Sequence, residues 1–165
     1  MHEDGKGGLS VDLAAAAGLW KLAAAQGLAD AQCFFGWAYR EGEGVPQDDA
    51  EATRWFLLSA EQGYEFAQSQ VANFFEHGVG VARDQAAAVL WARRAAEQGN
   101  GYGELLLGRY HRSGLGVPQD LRAASSWLER SAKHGSADAK QELRELAAEG
   151  VPAAVAAARR VGLAP

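Results

Sequence analysis

Several things are scarce or missing in this chain of 165 residues, and each absence removes a class of protein. Cys33 is the sole cysteine, so no internal disulfide can form. No stretch reaches the roughly 18 uninterrupted apolar residues of a membrane span. Lys and Arg form no cluster and the net charge is -5, which argues against nucleic acid, because neutralising phosphates takes grouped cations. The four histidines include no His-x3-His pair, so no metal site is expected. The glycine pairs are not followed by Gly-Lys-Ser/Thr, so no phosphate loop is expected, and no cofactor. No acid and base stand paired for catalysis. The first eight residues lack the basic and apolar segments of an export signal. The chain is cytoplasmic if complete, and periplasmic or secreted if a signal has been removed.

What the sequence does have is a period. Gly42-Glu43-Gly44-Val45-Pro46-Gln47-Asp48 returns as Gly78-Val79-Gly80-Val81-Ala82-Arg83-Asp84, 36 residues on, and again as Gly114-Leu115-Gly116-Val117-Pro118-Gln119-Asp120. Each copy is preceded by one segment of helical spacing and followed by another. In the first, Ala31, Phe35, Gly36 and Tyr39 mark helix A, predicted over Ala29 to Glu41. The glycines break it and Val45 turns inward. Asp48 caps helix B, with Glu51 completing a capping box, and Gly63 ends it. Gly36, Ala72 and Gly108 keep one position small so that helices can approach. Trp55, Trp91 and Trp127 are assigned to the gap between successive hairpins.

A fixed period of this size means a solenoid. The fold class is all-α: an α/α right-handed superhelical solenoid of 36-residue helix-turn-helix repeats. Residues 1–8 read as a flexible lead-in and 9–27 as a half-repeat, with Asp12 as the cap of its helix. Full repeats occupy 28–63, 64–99 and 100–135. Residues 136–165 form a degenerate cap, where Arg144 stands in the small position. Trp20 is out of phase with the other tryptophans. It is either core in a modified cap or a contact for an absent preceding unit.

The pattern Ala31, Phe35, Gly36, Tyr39, Gly42, Gly44, Val45, Asp48, Ala52, Trp55, Ala60, Gly63 resembles the Sel-one-like repeat (SLR) family, relatives of the tetratricopeptide repeats. The resemblance runs from about Gly8 to Gly150. It implies a superhelix that binds another protein or peptide. Family members serve as adaptors, and some bacterial ones look like immunity proteins against secreted toxins. A cysteine-rich branch has penicillin-binding or β-lactamase activity. That branch's disulfide pairs are missing here, so its activity is not carried over. A hydrolase of β-lactam or cell-wall type therefore ranks below a non-enzymatic scaffold, with an immunity protein as the alternative role.

Positions offset from the core of each helix A are expected to line the concave groove. Stepped by 36, they are Asp30, Cys33, Trp37 and Arg40; Phe66, Ser69, Asn73 and Glu76; Tyr102, Leu105, Arg109 and Arg112; and Asp138, Gln141 and Glu145. They differ between copies while the core positions agree, as a varied face on a shared frame would. Trp37, Phe66, Tyr102 and Leu105 would be apolar anchors. Arg40, Arg109 and Arg112 would donate to an acidic partner. Self-assembly through the repeat ends is a further expectation.

Overall fold

The computed structural model describes residues 12–163, which form nine helices and no strand. The lead-in of residues 1–8 lies outside the described residues. The helices are α1 (Leu13–Ala25), α2 (Ala29–Glu41), α3 (Asp49–Glu61), α4 (Glu65–His77), α5 (Gln85–Glu97), α6 (Gly101–Ser113), α7 (Leu121–Lys133), α8 (Ala137–Ala148) and α9 (Pro152–Arg160). Each packs chiefly on its neighbours in sequence, as in a solenoid. Helices A are α2, α4, α6 and α8; helices B are α1, α3, α5 and α7.

The repeated aspartates start every full-length helix B. Asp12, Asp48, Asp84 and Asp120 are extended, and their carboxylates accept from first-turn amides. The capping box expected at Asp48 is not closed. Its own N–H donates to the Tyr39 carbonyl at 2.9 Å, and Glu51 pairs with Arg54 instead. The same return bond recurs from Asp84 to Phe75 and from Asp120 to His111. The long turn is thereby tied to the last part of helix A.

The two glycines of each turn have separate tasks. Gly42, Gly78 and Gly114 end helices A in the left-handed conformation. Gly80, also left-handed at φ 64°, lies on the start of α3, and a Cβ there would run into the Asp49 carbonyl. Gly44 and Gly116 meet Leu13 and Gln85 in the same way. The second glycine is thus where one repeat seats on the previous helix B. Thr53 adds a hydrogen bond from its Oγ1 to the Val79 carbonyl at 2.8 Å.

The small positions behave as expected. A Cβ on Gly36 would stand 2.8 Å from Phe56, and one on Gly108 2.7 Å from Leu128. Trp55 does not fill the gap between hairpins. Trp55 meets Phe35 edge to face at 5.1 Å, inside its own hairpin. The next residue, Phe56, spans hairpins by meeting Trp37 at 5.4 Å and Phe74 at 5.1 Å. Guanidinium groups cover the outer indole faces, with Arg94 over Trp91 and Arg130 over Trp127, each at 4.6 Å.

The last unit departs from the pattern because its turn is only Glu149-Gly150-Val151. Helix α9 therefore starts early and packs on α7 as well as α8. Arg160 clamps it there, reaching both oxygens of the nearly buried Glu129 at 2.8 and 2.6 Å. The hydrogen bonds from Arg160 and then Lys133 outweigh burial and hold the Glu129 carboxyl down at about 2. Arg144 is exposed beside a groove of about 450 Å³ between α8 and α9.

Candidate functional site

Side chains link the helices A into one continuous face. Trp37 on α2 lies 6.4 Å from Phe66 on α4, and Tyr64 flanks Phe66 at 6.5 Å. Asn73 on α4 donates to the Tyr102 hydroxyl on α6 at 3.1 Å. Tyr110 on α6 donates to Glu76 on α4 at 2.9 Å. Burial, then the Glu76 charge, pushes the Tyr110 hydroxyl up, so it stays a donor. Between α6 and α8 the links are ionic. Arg109 reaches Glu142 at 2.6 Å and Asp138 at 3.1 Å, and Arg112 reaches Glu145 at 2.9 Å and Glu149 at 3.1 Å.

Three of the fifteen expected face residues are not on the surface. Cys33, Ser69 and Leu105 occupy one repeat position and are 1%, 0% and 4% exposed. Burial, with Asp30 nearby, pushes the Cys33 thiol up to about 12, so it is not a thiolate at neutral pH. The next position along carries Phe34, Gln70, Leu106 and Glu142. Phe34 is 46% exposed and stacks on Trp20 at 6.0 Å, Glu142 joins the ionic links, and Leu106 is buried. Phe34 and Glu142 were missed through a one-residue error of helical phase. Their variation between copies was a signal open to reading.

The arginines also differ from expectation. Arg109 and Arg112 already hold carboxylates of α8, so they are not free donors for an acidic partner. The Arg112 hydrogen bond in turn holds the Glu145 carboxyl below its ordinary range. Arg40 lies over the Phe74 ring at 5.1 Å and approaches Asp49 at 3.9 Å. Asp30 is exposed and caps the Ala31 amide at 2.8 Å. Gln141 is exposed and donates to Glu145 at 3.3 Å.

The face thus has two chemistries. At α2 and α4 it offers part-exposed rings, with Phe66 38% exposed at their edge. At α6 and α8 it offers a hollow of about 690 Å³ lined by self-paired charges, including Arg109, Arg112, Asp138 and Glu145. Trp37 and Tyr102 are half-buried against the central core and so help to hold the fold. Among the described residues no group of His, Cys, Asp and Glu is placed to hold a metal ion, and no helix is long and apolar enough to cross a membrane. Two of the histidines make local contacts. His77 Nδ1 lies 3.0 Å from the Asn73 carbonyl, and His134 Nδ1 lies 3.2 Å from Glu104.

Comparison with known proteins agrees with this architecture. A family model described as Sel1 repeat matches residues 1–28, 29–64, 66–100 and 101–136. No curated protein gives a significant match. Among solved structures, the chain is similar to a protective antigen present in uropathogenic Escherichia coli strains displaying an SLR fold. The identity is 35% and the TM-score 0.82, over 84% of this chain and 30% of that one. A Sel1 repeat protein from Oxalobacter formigenes is 28% identical with a TM-score of 0.80, over 90% of this chain and 63% of that one. Helicobacter pylori cysteine rich protein B shares the fold at 21% identity and a TM-score of 0.62, over 82% and 97%. The chain spans less than a third of the first of these proteins and just under two thirds of the second.

Proposed function

The chain belongs to the Sel1 repeat family, whose members are in general non-catalytic protein-interaction scaffolds, and on that footing we propose that it holds a partner protein or peptide on the concave face made by helices A. The observation that carries this reading is the ring cluster of Trp37, Tyr64 and Phe66. It joins two repeats at the surface, and its outermost ring is 38% exposed. Aromatic side chains bury much area at little entropic cost, and they dominate interfaces where they stand on a rigid support. Here Phe56 and Phe74 supply that support from below. The partner segment is apolar where it meets α2 and α4. The ionic half next to it limits how far such a segment extends.

The test is selection of a displayed random-peptide library on the protein, followed by binding of the selected peptides to a Phe66→Asp variant. Phe66 sits at the edge of the cluster, so its substitution separates binding from folding better than Trp37 or Tyr102 would. The selected peptides are expected to be rich in apolar residues and to bind Phe66→Asp at least about tenfold more weakly, with unchanged helicity. Peptides that bind the variant as well as the wild type would place the interface elsewhere.

A further inference from the structure

The arginines on the face of helices A are matched within the chain. Arg109 and Arg112 hold carboxylates of α8. Arg40 lies over the Phe74 ring, with Glu41 at 4.0 Å and Asp49 at 3.9 Å. Glu76 has no such match. It is half-buried in the last turn of α4, where α4 meets α6, and among the described residues no cation comes within ion-pair distance of it. Its Oε2 accepts from the Tyr110 hydroxyl at 2.9 Å. Its Oε1 accepts no hydrogen bond from the described residues and is not sealed from solvent.

Asn73 lies one turn back on the same side of α4 and donates to the Tyr102 hydroxyl at 3.1 Å, so the carboxylate stands beside polar side chains. A segment that lies on Trp37, Tyr64 and Phe66 and runs on toward α6 covers Glu76 next. Covering it strips water from a carboxylate that has one hydroxyl donor and no counter-charge. That is costly unless the segment brings a cation. The carboxylates of α8 make no such demand, because Arg109 and Arg112 already pair with them.

We propose that the segment held on this face carries, beyond its apolar residues, a lysine or arginine whose cationic end docks on Glu76. The proposal rests on the ring-cluster reading above and adds the partner's charge to it. It reverses the acidic partner expected from the arginines of the sequence. Phe66 and Glu76 are ten residues apart on α4, which is about 15 Å of helix rise. An extended segment covers that distance in about four or five residues, and this sets the spacing between its apolar anchor and its base. Under the bound segment the ion pair is screened little by salt.

The test is selection of the displayed random-peptide library on three forms of the full chain: wild type, Glu76→Gln and Glu97→Gln. Glu97 is an exposed carboxylate on α5, a helix B, so its variant controls for the net charge of the protein. Wild type and Glu97→Gln are expected to return peptides rich in apolar residues, with Lys or Arg enriched at that spacing. Glu76→Gln is expected to keep the apolar preference and lose the basic one. A peptide selected on the wild type should bind Glu76→Gln about tenfold more weakly. The same peptide with its base replaced by norleucine should bind Glu76→Gln no more weakly than it binds the wild type, whereas a damaged face would weaken both peptides. A wild-type pool without basic enrichment would overturn the proposal. So would equal basic enrichment on Glu76→Gln, or a norleucine peptide that Glu76→Gln weakens as much. Those results leave the ring cluster standing. Peptides that bind Phe66→Asp as well as the wild type would defeat the ring-cluster reading itself, and the proposal with it.

Discussion

In the hairpins α2–α3 and α4–α5, an amide meets an amide. Gln62 donates to Gln32 at 2.7 Å, and Gln98 donates to Gln68 at 2.8 Å. In the hairpin α6–α7 the same two places hold Glu104 and His134, 3.2 Å apart, and Arg130 reaches the fully buried Glu104 at 2.8 Å. The face of helices A changes in the same direction, from rings at α2 and α4 to ion pairs between α6 and α8. Both regions stand on one backbone and one set of caps. The difference teaches that a hairpin of this frame closes equally over a hydrogen-bonded amide pair and over a buried carboxylate held by ion pairs. It also separates tasks. The ionic half satisfies itself, and the aromatic half is left with area to offer.

The largest effect should come from what the two halves share. Gly36→Val and Gly108→Val each force a side chain into a closed helix contact and should cost about 3 kcal/mol in denaturant unfolding. A variant of either kind that unfolds like the wild type would mean that the hairpins do not close as described. The next effect separates the halves. Glu104→Ala strips Arg130 and His134 of their buried carboxylate and should cost about 2 kcal/mol. The double variant Glu104→Gln/His134→Gln rebuilds the amide pair of the earlier hairpins. It should unfold within about 1 kcal/mol of the wild type, as a hydrogen-bonded amide pair replaces an ion-paired carboxylate. If the double variant is the worse of the two, the equivalence of the positions fails.

The smallest effect depends on pH. Glu129 is held at about 2, below the ordinary carboxylate value, chiefly by Arg160. Its contribution is therefore complete above the ordinary carboxylate range and is lost as the pH falls toward 2. Glu129→Gln should melt a few degrees lower than the wild type at neutral pH, and the gap should close as acid protonates the wild-type carboxylate. A gap that stays constant on acidification would show that the clamp on α9 is not ionic.

Much of this was legible in the sequence because its causes are local. Helix A over Ala29–Glu41, the aspartate caps and the close contacts at Gly36 and Gly108 follow from turn chemistry and spacing within one hairpin. The exposed face was only partly legible. Helical phase decides whether Cys33 or Phe34 looks outward, and a step of one residue moves a side chain by about 100° around the axis. The partners of Arg109 and Arg112 lie 29 to 37 residues away on the next helix A, so a motif within one repeat does not reveal them. Nor did periodicity show that the second glycine of each turn seats on the preceding repeat, which depends on how hairpins stack.

The central claim is that the aromatic half of the A-helix face binds and the ionic half does not. The most direct measurement is calorimetric titration of a library-selected peptide against the wild type, Phe66→Asp and Arg112→Ala, at low and high salt. The account predicts binding that hardly changes with salt, is lost in Phe66→Asp and is kept in Arg112→Ala. Binding that falls steeply with salt, fails in Arg112→Ala and survives in Phe66→Asp would contradict it.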